Sequence, residues 1–319
     1  MVTITRPEEA LLEPLDRLLK VDVQSAAVTL SEGEIRFLVD LYYQIQEFRK
    51  SSDNQVRSLG KEQEPHEVLS YVAKQVTLIE GQIKRVLEAW TSADPLATWA
   101  KSITGIGPVI SAGLRSHIDI EKAPTVGHIW RFAGLDPTDT WGKGQKRPWN
   151  AQLKTLCWRL GDSFVKFQNH PNDTYGKIYR ARRALEDERN AAGLFAEQAR
   201  VSLETKRFKK DTDALKHYQA GRLPPARLLL RAERYTVKLF LSHWHEAAWW
   251  LRYGERPVRP YVLEHIPGHH DYIGIPNPHL LPGYPENQDR LIVEGSRKDM
   301  VWFPAEGSPP SLPVSPSHS

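Results

Sequence analysis

A single cysteine, Cys157, stands in 319 residues, so no internal disulfide can brace the fold and a cysteine-based zinc site lacks its ligands. No run of eighteen apolar residues occurs, which removes the usual signal of a membrane-spanning helix. The first thirty residues carry Glu8, Glu9, Glu13 and Asp16 and lack the apolar core of a secretory signal. These absences lead us to expect a soluble protein in the reducing cytoplasm. The length suffices for one large or two modest domains, so core size sets no limit.

What is abundant is positive charge, in one place. The net charge is +4, but residues 143–260 hold 25 basic and 12 acidic side chains, a local excess of +13. Residues 1–100 hold 11 against 16, and residues 261–319 hold 3 against 7. A field of one sign concentrated on one segment attracts a polyanion and speeds encounter with it. The alternative is a solvated helical surface with no ligand.

The hydrophobic periodicity predicts a mainly α protein. Ser31 followed by Glu34 forms a capping-box pattern, opening a helix with Ile35, Leu38, Tyr42 and Ile45 on one face. A polar stretch from Ser51 to Pro65 follows. Then Leu69, Val72, Val76, Ile79, Ile83, Val86 and Trp90 alternate by three and four, a seam of three heptads. The two helices are expected to form an antiparallel hairpin, with more seam than the shorter partner helix covers, which motivates self-association as a homo-oligomer; an ordinary two-helix layer on a core is the equal alternative. Residues 95–190 suggest a compact helical domain. Leu203 to Pro225 is charged and loop-like around Lys206-Arg207-Phe208-Lys209-Lys210. Ala226 to Tyr253 is one long apolar helix that Gly254 and Pro257 terminate. The expected organisation is an arm over 1–30, a coiled-coil hairpin over 31–92, a helix-hairpin-helix domain over 93–200, a basic linker and long helix over 201–265, and an irregular Pro-rich tail, partly disordered, over 266–319.

The sharpest local pattern is Ser102-Ile103-Thr104-Gly105-Ile106-Gly107-Pro108-Val109. An apolar helix ends, a Gly-Ile-Gly turn follows, and Pro108 opens the next helix at a position where its missing N–H costs nothing. This is a helix-hairpin-helix pattern. Glycines there permit positive φ and close approach of a phosphate to backbone N–H groups, which the dipole of the following helix reinforces. Thr104, Gly105, Ile106 and Gly107 are therefore candidate contacts to a DNA backbone, with Ile106 plugging the space between the helices. Such contacts position a duplex without reading its sequence. The other reading is a helical corner with no ligand.

Downstream stand Ala133-Gly134-Leu135-Asp136-Pro137, the Gly/basic loop Trp141-Gly142-Lys143-Gly144-Gln145-Lys146-Arg147, and Asn150 opening a helix with Leu153, Leu156, Leu160 and Phe164. Lys143, Lys146 and Arg147 are further candidates for phosphate. In order and spacing, residues 66–170 resemble the C-terminal part of the DEDD transposases of the insertion-sequence one-ten group. That resemblance implies DNA as partner, a role in transposition or recombination, and structured RNA as a second ligand. Two departures matter. The family's Holliday-resolvase-like domain, whose four carboxylates bind divalent metal, has no counterpart before the coiled coil. The family's nucleophilic serine precedes a glycine, and here Trp141 precedes Gly142. A tryptophan cannot attack a phosphodiester, and Thr140 is a poor substitute with no base beside it in sequence.

Two other constellations bear on chemistry. His243, His245, His265, His269, His270 and Asp271 include metal-ligand types, but His243 and His245 lie two apart on a helix and face different ways. Tyr175-Gly176-Lys177-Ile178-Tyr179-Arg180-Ala181-Arg182-Arg183 interleaves rings and cations, making Arg182 and Arg183 candidates for nucleic-acid contact; an amphipathic helix with solvated arginines is the equal alternative. No catalytic residue, metal or cofactor is assigned. The leading expectation is a DNA-binding protein that is not catalytic alone. A transposase subunit borrowing carboxylates from a partner, or a coiled-coil assembly protein, are the other two readings.

Overall fold

The computed structural model describes residues 16–59, 67–208, 212–260 and 273–285. The described residues are mainly helical and contain no strand. The chain divides into two compact units, one of residues 1–101 and 107–118, the other of residues 102–106 and 119–319.

The first unit is built on a helical hairpin. Helix α1 (Lys20–Thr29) lies against α3 (Glu67–Ser92), which pairs with α2 (Glu32–Leu59). The capping box at the start of α2 forms as the sequence requires. Glu34 accepts hydrogen bonds from the Ser31 N–H (2.8 Å) and hydroxyl (2.7 Å), and the Glu34 N–H donates to Ser31 Oγ. Ile35, Val39 and Tyr42 of α2 pack with Ile83 and Leu87 of α3, and with Val109 and Ala112 of α5 (Pro108–His117). Arg49 of α2 ion-pairs with Glu80 of α3, further along the antiparallel pair. The short helix α4 (Pro95–Lys101) completes the unit: Ser111 Oγ donates to the Ala97 carbonyl, and Arg115 pairs with Asp94 at 2.7 Å.

Two expectations change here. Ser51 to Leu59 is helix rather than polar loop, so α2 is 28 residues long against 26 for α3 and is not the shorter partner. Its polar residues continue the helix because they occupy its exposed face, where period rather than polarity decides. The seam is also unevenly covered. Val76, Ile83 and Val86 are buried, whereas Leu69 and Val72, nearer the tip, are each 41 % exposed. The arm contains the helix α1, while residues 1–15 lie outside the described residues.

The second unit is organised around α11 (Pro225–Tyr253), which packs against α8 (Tyr175–Ala191), α7 (Ala151–Lys166) and α6 (Val126–Phe132). Gly161 lets α7 approach closely: a Cβ there would stand 3.3 Å from Val237. Phe164 stacks on Tyr175 with centroids 4.8 Å apart, and Phe240 and Trp244 continue the buried aromatic core. Gly254, at φ +73°, caps α11 in the left-handed region, as its position predicts. The segment expected as a charged loop from Leu203 to Pro225 is non-helical at residues 206–208 but also holds the end of α9 (Ala196–Thr205) and all of α10 (Asp213–Gln219). Phe195, Ala199, Tyr218, Leu223 and Leu228 form a small core there, assembled from positions too far apart in sequence to show a period. Lys209 and Lys210 lie outside the described residues, as do residues 286–319 of the Pro-rich tail. Within that tail, residues 273–285 fold onto α11 through the Trp250 indole N–H, which donates to the Pro282 carbonyl, and through Tyr284, which donates to Glu246.

This division differs from the one read from sequence. α4 and α5 group with α2 and α3 in the first unit, and the long helix α11 is the centre of the second unit rather than an appendage after a linker.

Candidate nucleic-acid interface

The turn predicted to hold phosphate has a definite geometry. Gly105 has φ +94°, so its conformation requires glycine. The side a Cβ would occupy is filled, however, with Ser163 Oγ at 3.2 Å and Phe167 at 3.5 Å. The Ser163 hydroxyl donates to the Gly105 carbonyl at 2.6 Å, and Thr104 Oγ1 donates to the Asn172 carbonyl at 2.9 Å. Ile106 is buried. Thr104, Gly105 and Ile106 thus serve packing within the second unit, and the glycine makes room for α7 at this point. Gly107 belongs to the first unit. It precedes α5 at φ −98° and ψ −177°, ordinary extended backbone, and the space beyond its Cα is open. Its access fits the expectation; its backbone conformation does not require glycine.

The Gly/basic loop is different. Lys143, Lys146 and Arg147 are all exposed, and none pairs with a carboxylate among the described residues. The loop is internally ordered. The Trp141 indole N–H donates to the Gln145 carbonyl at 2.7 Å, and the Gly142 N–H donates to Gln145 Oε1 at 3.1 Å. Arg147 lies over the Trp141 ring at 5.2 Å, and Trp149 meets that ring edge-on at 6.4 Å. Lys154 sits 3.9 Å over Trp149. Gly134, at φ +64°, provides the floor: a Cβ there would fall 2.8 Å from Trp149 and 2.9 Å from Lys154. Asn150 then caps α7, its side chain accepting from the Leu153 N–H at 2.9 Å. Partial burial, followed by the fields of Arg234 and Arg147, lowers the Lys154 ammonium from its ordinary pKa. An anion close to Lys154 would favour its charged form.

Elsewhere in the basic segment several arginines are neutralised by neighbours, while Arg180, Arg207, Arg222 and Arg227 stand exposed. Arg182, expected at the surface, is a correction: it is 7 % exposed, ion-pairs with the fully buried Glu186, and lies 4.6 Å over Tyr235. A guanidinium so enclosed has no face to offer a phosphate. Arg183 is half-buried and paired with Asp187 at 3.0 Å. Arg200 holds both Glu197 and Glu204. The aromatic–basic interleaving read on 175–183 therefore packs a core, and the same interleaving at Trp141, Lys143, Arg147 and Trp149 stands on the surface. Sequence reasoning missed Lys154 and Trp149 as parts of the site, although that interleaving was available as a signal.

The remaining candidates resolve into structural roles. His243 is buried between the Tyr175 hydroxyl (2.6 Å) and the Ile273 carbonyl (2.9 Å), and burial pushes it down to about 4. His245 contacts the Ala123 carbonyl at 2.8 Å. Both rings are occupied, on different sides of α11. No group of three metal-ligating side chains occurs among the described residues; His265, His269, His270 and Asp271 lie outside them. Cys157 is buried, which raises its thiol to about 12 and leaves it protonated. Thr155 donates to the Ala151 carbonyl of its own helix. No helix among the described residues is long and apolar enough to cross a membrane. No family model, curated protein or solved structure matches this chain.

Proposed function

We propose that this protein binds DNA through its phosphate backbone, with the Trp141–Arg147 loop as the principal contact. One observation carries the reading: three exposed cations without carboxylate partners are gathered on one ordered loop, whereas Arg182, Arg183, Arg200 and Arg231 of the same segment are held in ion pairs. Such a loop releases condensed counterions from a polyanion when it binds. The open N-terminus of α5 at Gly107 is a separate, weaker contribution, and Gly105 is not part of it. The motif order over residues 66–170 supports a protein derived from, or working alongside, the transposases it resembles. Trp141 in the nucleophile's place supports binding without strand chemistry.

Duplex binding measured by anisotropy across a salt series tests this. Converting Lys143, Lys146 and Arg147 to Gln should weaken binding at least about tenfold and flatten the log–log salt slope by up to about 0.9 for each phosphate no longer neutralised. Arg200→Gln, which removes an exposed but paired cation, should leave both unchanged. Equal affinity and slope in the triple variant and parent would remove the reading.

The same reading includes self-association at the end of the hairpin, where Leu59, Val68, Leu69 and Val72 are exposed together on the two helices. Light scattering should find an oligomer that Leu69→Asp with Val72→Asp dissociates while the melting temperature holds. Val76→Asp with Ile83→Asp, by contrast, should unfold the first unit, because those side chains are buried in it. A monomeric parent excludes the association.

A further inference from the structure

Trp141 is 42 % exposed, yet its ring is held by its own N–H on the Gln145 carbonyl. Singly exposed hydrophobics are common and need no explanation. This one is fixed in orientation, with Arg147 over one face of the ring and Lys143 and Lys146, which lack carboxylate partners, in the same loop. A partly exposed ring with cations in the same loop matches an unpaired nucleotide, whose base offers a π face to the side that Arg147 leaves open and whose phosphates are anionic. In an undistorted duplex that face is covered by the neighbouring base pairs, and only the phosphates remain available.

We infer that the Trp141 ring is a stacking platform for an unpaired nucleobase, so that the loop prefers a single-stranded or base-extruded stretch of DNA over intact duplex. This rests on the DNA-binding reading and specifies the form of its ligand. Lys143, Lys146 and Arg147 would track the phosphates on either side while Trp141 takes the base. Sequence preference would be weak, because every base has a π face.

The test is a cycle of binding measurements on the full chain, using a labelled oligodeoxythymidine, the same-length oligonucleotide made abasic throughout, and a mixed-sequence duplex. The parent should bind the thymidine strand more tightly than the abasic strand or the duplex. Trp141→Ala should lose about 5- to 100-fold for the thymidine strand and little for the abasic one, whose phosphates are intact but whose bases are gone. Trp141→Phe, which keeps a ring without the N–H, should retain most of the affinity. Thermal melts confirm that each variant is folded. Equal losses by Trp141→Ala on both strands would mean that Trp141 only shapes the loop, and would overturn the inference. Parent-like binding by Trp141→Ala, or tighter binding of duplex than of single strand, would also overturn it while leaving the DNA-binding reading in place. Failure of the parent to bind any of the three probes would overturn both.

Discussion

Glu186→Ala should lower the melting temperature of the second unit by about 6–20 °C. Glu186 is fully buried on α8 and is surrounded by cations: it ion-pairs with Arg182, accepts from Arg231 Nε at 2.8 Å, and lies 4.0 Å from Arg189. Burial and the neighbouring Arg182 and Arg231 already pull the Arg189 guanidinium below its ordinary value. Removing this carboxylate leaves three guanidiniums in a low-dielectric space with a mutual repulsion that Glu186 no longer offsets. Breaking a buried pair from one side costs about 3–5 kcal/mol. In a unit of this size each kcal/mol moves the midpoint by about 2–4 °C. The second variant distinguishes charge from packing: Glu186→Met combined with Arg182→Met should recover part of the loss, because it removes a cation together with the anion. A single variant that melts like the parent would show that the cluster is compensated in some other way.

Glu233→Gln should stabilise the protein at pH 8 and change little at pH 4. Glu233 is 8 % exposed on α11, with its stem against Gly161, and burial followed by the Asp162 charge pushes its carboxyl up to about 7. The folded-state pKa thus lies above the unfolded value of about 4.5. Below about 4.5 the group is protonated in both states and costs nothing. Between 4.5 and 7 the unfolded chain ionises while the folded one resists, so stability falls as pH rises and then levels off. At 1.36 kcal/mol per pKa unit the full effect is roughly 3 kcal/mol. Buried His243 and half-buried His117, each lowered to about 4, act in the opposite direction as pH falls below the ordinary histidine range. The difference between variant and parent cancels them. Urea denaturation at pH 4, 6 and 8 measures it, and a difference independent of pH would contradict the assignment.

Both predictions concern α8 and α11, where sequence reasoning was least complete. The period and apolar content of α11 were plain from Leu228 to Trp250, and its end at Gly254 followed from glycine's tolerance of φ +73°. What the charges do could not be read in the same way. Arg182 and Arg147 are both arginines beside aromatic residues in a basic stretch, and nothing in their immediate sequence surroundings distinguishes them. One is enclosed by Glu186 and Tyr235, and the other stands over Trp141 in solvent.

Local pattern was enough for the helical class, the capped starts at Ser31 and Asn150, the Pro108 start, the stop at Gly254, and the concentration of positive charge over residues 143–260. These rest on interactions that reach no further than one helical turn, or on counting. Which glycine faces open space and which cation faces solvent depended on how distant elements pack. Gly105 is closed by a serine 58 positions away, and Glu186 is shared with an arginine 45 positions away. A local pattern has no access to partners at that separation; burial and charge compensation arise when distant elements meet, and on this molecule those meetings leave the Trp141–Arg147 loop outside while drawing Arg182 in.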